Sequence, residues 1–451
     1  MKEIDILRGY GLFDAQVPRY TSYPPANHFV DRVGQRNQKD WLCAVPRKAE
    51  VSVYIHIPFC KRLCWFCACR TQGTKTLRPV DAYVEFLRRE INAVRDLLAP
   101  DIKMARLHLG GGTPTILSPE MMARLLGNVF KAFPTSEQFE FSVEIDPTEA
   151  SSDLLTTLVD HGMNRASLGV QDFAPFVQDA IGRQQSLEQT RDVIECLRAK
   201  GVSALNLDLL YGLPHQTAES FGQTLDDIIG LKPDRLAIYG YAHVPWMSKR
   251  QVMIKKEDLP NSQARFDLAL MARDQLKIEG FEPVGIDHFA APQDGLFLAQ
   301  QNGQVRRNFQ GYTDDGSETL IGFGASAISR FAQGYIQNAV ATSAYQDRIT
   351  QAGLAAHKGY AMTETDKLTA CIVEDLLCRF ALDTEKLEAE FTGHQPAICA
   401  IRILLMRQFP DVFFLSQKGL EMYEWAKPLV RIIASAVSGF TSDETAHSTA
   451  I

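Results

Sequence analysis

VSVYIHI (51–57) alternates apolar and polar side chains along its whole length, and its reading decides the fold. Successive strand residues point to opposite faces. Val51, Val53, Ile55 and Ile57 therefore share one face, and Ser52, Tyr54 and His56 share the other. The pattern returns downstream. In 141–146, Phe141, Val143 and Ile145 oppose Ser142, Glu144 and Asp146; in 203–209, Leu205, Leu207 and Leu209 oppose Asn206 and Asp208. An open sheet with helices on both sides is apolar on both faces. A sheet with one polar face suits a barrel, apolar outward against helices and polar inward around a ligand.

Between these strands lie helical patterns, the clearest over 80–98, where Val80, Tyr83, Val84, Leu87, Ile91, Val94 and Leu98 recur at three- and four-residue spacing. Further helices are predicted near 118–132, 149–160, 187–200 and 217–230. Strand–helix alternation builds a parallel sheet, so the prediction is an α/β protein with a full or partial TIM-type (β/α) barrel. Beyond about residue 350 the strand signal fades, and 363–440 reads as mainly helical. The expected division is an N-terminal arm (1–45), a barrel domain (46–350), a smaller mainly helical C-terminal domain (351–440) and a flexible polar tail (441–451).

The 451 residues are 45% hydrophobic and 22% charged, an ordinary globular composition. The net charge of −7 argues against a general nucleic-acid binder, which needs a basic face. No long apolar run spans a membrane, and the acidic start MKEIDILRGYGLFD is unlike a signal peptide. A cytoplasmic protein is expected. Nine cysteines are present, and Cys43, Cys196, Cys371, Cys378 and Cys399 are scattered singly, which reads as small core residues and not as a disulfide framework.

The other four crowd FCKRLCWFCAC (59–69), directly after the first strand and so at the mouth of the barrel. Cys60, Cys64 and Cys67 have C-x3-C-x2-C spacing, and thiolates bind iron and zinc strongly. Three ligands leave one metal position open, whereas a closed site takes four. Two readings stand: a 4Fe–4S cluster with one free iron, or a site that Cys69 closes. A structural zinc loop is a third, from a different functional class. GGGTPT (110–115) removes side chains at the next strand end, and Glu144, Gln171 and Asp208 follow at later ones.

C-x3-C-x-F-C followed by GGGTPT resembles the radical S-adenosylmethionine (SAM) superfamily. PRYTSYPPA (18–26), YIHIPFCKRLCWFCAC (54–69), EIDP (144–147), GVQDF (169–173), NLDLLYGLP (206–214), YAHVP (241–245), DHFA (287–290) and RNFQGYT (307–313) are similar to the oxygen-independent coproporphyrinogen III oxidases. The resemblance implies a 4Fe–4S cluster on Cys60, Cys64 and Cys67, with Cys69 a catalytically important non-ligand. It implies a first SAM at Tyr54, Gly111, Glu144 and Ile328. A second would lie near Phe66, Gly112, Thr113, Gln171, Arg183, Asp208 and Ala242. The implied reaction is oxidative decarboxylation of two propionates of coproporphyrinogen III to vinyl groups, giving protoporphyrinogen IX, with an electron donor such as a flavodoxin or ferredoxin and a monomeric enzyme.

The resemblance leaves a rival, a haem-binding chaperone of the same superfamily; Cys69 and PRYTSYP argue for the enzyme. Arg19, Arg306 and Arg307 are candidates for the substrate's carboxylates, and Phe309 and Gln310 for the pocket. His56 reads equally as a site residue or a satisfied core histidine, and Arg165 as structural. Thr369–Ala370 stands where the family commonly has a basic pair, and TSDETAHSTAI (441–451) lacks an arginine.

Overall fold

The computed structural model describes residues 3–440 and Ala450; the polar tail expected over 441–451 lies outside the described residues, Ala450 apart. Twelve strands form the main sheet: β1 (Glu50–Ile57), β2 (Lys103–Gly111), β3 (Thr135–Ile145), β4 (Arg165–Gln171), β5 (Ala204–Tyr211), β6 (Arg235–Gly240), β7 (Glu282–Val284), β8 (His288–Ala290), β9 (Thr319–Phe323), β10 (Ile328–Phe331), β11 (Gly334–Asn338) and β12 (Ala356–Ala361). Seven run parallel in the order β9-β1-β2-β3-β4-β5-β6. The order from β1 to β6 follows the chain without reversal, as in a barrel; a doubly wound sheet reverses at a switch point. Antiparallel strands extend both edges, and the hydrogen-bonded ladder does not close on itself.

The outward face is apolar as anticipated. Val51, Val53, Ile55 and Ile57 are at most 2% exposed, in one core with Val80, Val84, Leu87 and Ile91 of the helix Arg78–Arg95. That helix stops at Arg95, so Leu98 packs from the turn beyond it. The next helices span Pro119–Ala132, Ser152–Asp160, Leu187–Ala199 and Ala218–Gly230, close to the predicted ranges. Each begins behind a hydroxyl cap: Ser118, Ser151, Ser186 and Thr217 accept from backbone N–H groups of the first turn.

A second core joins the two ends of the chain. Leu7, Leu12, Phe13, Val17 and Tyr20 pack with Leu368, Ile372 and Leu376 of the helix Glu364–Arg379 and with Val430, Ile433 and Ala434 of the helix Val430–Val437. This C-terminal part is mainly helical, with one addition the sequence did not announce: a three-stranded sheet of 381–383, 413–415 and 419–422. Its strands are too short to show a period.

The single cysteines correct an expectation. Cys378 is buried, Cys196 and Cys371 are half-buried, and Cys43 and Cys399 are exposed. Cys43 ends its helix and Cys399 lies on the outer side of Gln395–Gln408, where small size is no handicap in water.

Candidate functional site

Strand register stacks the polar residues in rungs. Tyr54, His108, Ser142 and Arg165 are successive neighbours across β1 to β4, and Glu144, Ser167, Asn206 and Arg235 across β3 to β6. Neighbours in register share a face. His108, Ser142, Glu144, Asp146, Ser167, Gln171, Asn206, Asp208 and Arg235 accordingly line one chamber of about 400 Å³ on the concave side of the sheet. Cys60, Cys64, Cys67 and Cys69 form part of its lining, with Phe66, Gly111, Gly112, Thr113, Arg183, Phe309 and Gln310. Tyr54, Ala242 and Ile328 are not on that lining. Tyr54 donates or accepts at His56 Nδ1 (2.9 Å) and stacks on His108 with ring centroids 5.8 Å apart. His56 is buried, its Nε2 3.1 Å from the Arg70 carbonyl, so it is a satisfied histidine behind the site.

Glycine is required where β2 meets the cysteine loop. A methyl on Gly112 would lie 2.6 Å from the Phe59 oxygen and 2.9 Å from Cys60 Sγ, and one on Gly110 2.7 Å from Glu144 Oε1. The sulfurs meet donors. Thr113 Oγ1 is 3.7 Å from Cys60 Sγ, and Arg183 Nη1 is 3.6 Å from Cys64 Sγ. Arg183 is held by Asp146 (3.1 Å), the Gly169 carbonyl (2.8 Å) and Gln185 (3.0 Å). The loop's outer side is tied down by the segment after β6: Ser248 donates to the Cys67 carbonyl (2.9 Å), and Gln251 to the carbonyls of Phe66 (2.7 Å) and Ala242 (3.1 Å).

Charge is arranged unevenly. Burial pushes Glu144 up, but its hydrogen bond to His108 and the Gly111 N–H (3.0 Å) outweigh this and hold it below the ordinary carboxylate value. Burial wins at Asp208, which is raised although Asn206 (2.8 Å) and Ser167 (3.0 Å) donate to it. Hydrogen bonding between Cys67 and Cys69 lowers Cys67 and pushes Cys69 up. Burial raises Cys60 to about 11.

Among the described residues, no three His, Cys, Asp or Glu side chains converge as on a single metal ion. All four loop cysteines are free thiols. The soft sulfurs of this loop fit an iron–sulfur cluster, which spreads its ligands wider than one ion does. Among the described residues, Arg183 Nε and Asn206 Oδ1 are buried without a partner, which fits a chamber made to receive polar groups.

The model of the radical SAM superfamily matches residues 54–228. The chain is 46% identical over 451 residues to an oxygen-independent coproporphyrinogen III oxidase of Paracoccus denitrificans, with 100% of both chains covered. It is 47% identical to one of Cereibacter sphaeroides over 452 residues, again with 100% of both covered. The chain belongs to the oxygen-independent coproporphyrinogen III oxidase family. A solved coproporphyrinogen III oxidase of Escherichia coli, described as a radical SAM enzyme, superposes with a TM-score of 0.90 at 35% identity, covering 94% of this chain and 100% of that one.

Within this oxidase family member, the basic candidates do not line the cysteine chamber itself, though the cavity of Arg19 and Arg307 shares Tyr239 and His288 with it. Arg19 and Arg307 line a second cavity of about 380 Å³ between barrel and C-terminal helices, where Arg307 pairs with Asp287 at 3.4 Å. Arg306 faces other surface clefts. Arg165 pairs with Glu140 (3.0 Å) and Asp294 (3.8 Å), in keeping with a structural part, though it also reaches the chamber's lining. Sequence reasoning missed His108, which holds Glu144. Its position in RLHLG, polar between two leucines, was the available signal.

Proposed function

We propose that this chain carries out the oxygen-independent oxidative decarboxylation of coproporphyrinogen III to protoporphyrinogen IX in haem biosynthesis, as a cytoplasmic monomer reduced by a flavodoxin- or ferredoxin-type donor. The supporting observation is the cysteine loop, lying over the polar chamber with Thr113 and Arg183 aimed at its sulfurs. Cys60, Cys64 and Cys67 would hold a 4Fe–4S cluster and leave one iron open. When bound, that cluster would supply one electron for the reductive cleavage of SAM, so that a propionate β-carbon could lose a hydrogen atom and then carbon dioxide, the remaining electron passing to an acceptor.

The chain's own residues bind and orient. Glu144, kept ionised by His108 and Gly111, accepts from the ammonium or hydroxyls of a first SAM, in a site completed by Tyr54, Gly111 and Ile328. Arg183 and Asp208 offer a carboxylate partner and a hydroxyl acceptor to a second SAM, beside Phe66, Gly112, Thr113, Gln171 and Ala242. Cys69, which also lines the chamber, stays off the cluster as a catalytic side chain. Phe309 and Gln310 close the chamber and help exclude water.

The test is anaerobic incubation of reconstituted protein with coproporphyrinogen III, SAM and dithionite. Protoporphyrinogen IX is the expected product. Tight haem binding without product would assign the chain to the carriers, and zinc without acid-labile sulfide would remove it from radical chemistry altogether.

A further inference from the structure

The densest group of exposed large apolar side chains lies in the segment after β6 that ties down the cysteine loop: Trp246 (55% exposed), Met247 (58%), Val252 (67%) and Met253 (55%). Scattered surface apolar residues need no explanation, but a concentrated set rimmed by charge marks an interaction site. The rim is mainly basic. Residues 246–256 include Lys249, Arg250, Lys255 and Lys256 before Glu257 and Asp258 follow, and the cysteine loop (59–78) adds Lys61, Arg62, Arg70, Lys75 and Arg78 without a carboxylate. Lys61 is neutralised by Glu149, and Arg250 donates to the Thr71 carbonyl (2.8 Å). Neither Lys249 nor Arg70 has an ion-pair partner among the described residues.

The two loops meet in one open depression of about 290 Å³ lined by Cys69, Arg70, Met247, Lys249, Arg250 and Val340. Its floor is thus the outer side of the loop whose inner side faces the chamber, and the Ser248–Cys67 hydrogen bond spans the two. The chain as a whole is acidic at −7, so an acidic protein is repelled by most of its surface and attracted here.

We propose that this depression, with Met247 and Lys249 at its edge, is the docking surface for a small acidic protein carrying a one-electron redox centre. Resting on the radical reading above, it places electron entry on the outer side of the cysteine loop: the donor's centre is oxidised by one electron and the cluster reduced by one. Apolar contact from Met247 and Trp246 gives the docked complex its lifetime, and the cations give its rate of encounter.

The test uses the reconstituted full chain, with reduced flavodoxin or dithionite as reductant, in wild type and in the double variant Met247→Ser/Lys249→Glu. Cluster reduction is followed by loss of visible absorbance, so the readout needs no substrate. The variant should be reduced by flavodoxin about fivefold or more slowly, with a weaker salt dependence, and by dithionite at the wild-type rate. Lys131→Glu, at the far end of the barrel, makes the same charge change as a control and should leave both rates alone. Equal flavodoxin rates in wild type and double variant, or an equal loss in the Lys131 control, would overturn the docking surface. A wild type whose cluster accepts electrons from flavodoxin through Lys249 yet makes no protoporphyrinogen would overturn the substrate reading and leave the surface standing.

Discussion

The sheet carries a polar cluster on each of its faces, and the two are finished differently. On the concave face Glu144 keeps 41% of its side chain open to the chamber, and nearby Arg183 Nε and Asn206 Oδ1 have no partner among the described residues. On the convex face Glu90, in the helix Arg78–Arg95, is fully buried and fully used: it accepts from Gly324 N–H (2.8 Å), Asn338 (2.7 Å) and Tyr345 (2.8 Å). Beside it Tyr83 donates to the His56 carbonyl (2.9 Å) and accepts from Ala325 N–H (2.8 Å), which ties the ends of β1 and β9 to the helix. Glu144 keeps room for a further partner, whereas Glu90 has its hydrogen-bonding capacity taken up by the scaffold. Ionisation diverges with it. Both glutamates are pushed up by burial, but Glu144 has His108 and ends low, whereas Glu90 has only neutral donors and is raised to about 7.

Substitutions on the concave side should therefore remove function and spare the fold, and those on the convex side the reverse. The largest effect is expected for Cys64→Ala, with complete loss of the brown cluster absorbance and of turnover. Cys69→Ala should keep the absorbance and lose turnover; bleaching there would make Cys69 a ligand. Next, Glu90→Ala strands the Gly324 N–H and the Asn338 and Tyr345 side chains, and should cost roughly 2–4 kcal/mol in urea unfolding. An unchanged midpoint would erase the contrast between the faces. Glu144→Gln removes a charged acceptor worth about 1.5–3 kcal/mol, so SAM affinity measured by equilibrium binding should fall about ten- to hundredfold, with the unfolding midpoint unmoved.

The smallest effect is on pH dependence. Glu90 in the folded chain holds its proton up to about pH 7, above its ordinary value of 4.5, so its contribution to stability declines as pH rises through that window. Between pH 5 and 8 the loss is on the order of 2 kcal/mol. Glu90→Gln, which cannot ionise, should flatten that slope in unfolding curves taken across the range, and an equal slope would assign the dependence to other groups.

Much of the concave face was legible because strand alternation is a local property: Tyr54, Glu144, Asn206 and Asp208 declare their side by their neighbours' chemistry. The cysteine loop was legible from spacing alone. Glu90 was not. It sits among charged residues in LRREINAV (87–94), where one glutamate of a helix looks like any other until Asn338 and Tyr345 arrive from some 250 residues away. Nor was the small sheet of the C-terminal part, whose pairings span 381–422 with no repeat long enough to read.

The sequence by itself determined the parallel strand–helix order, the polar face and the thiol-bearing loop, since period and spacing are written between near neighbours. Only the tertiary structure decided which carboxylate is ionised, which cations reach the chamber, and that residues 7–20 complete a core with the helices Glu364–Arg379 and Val430–Val437. Those outcomes depend on groups brought together across the whole chain, and burial acts on a charge only once its surroundings have been assembled.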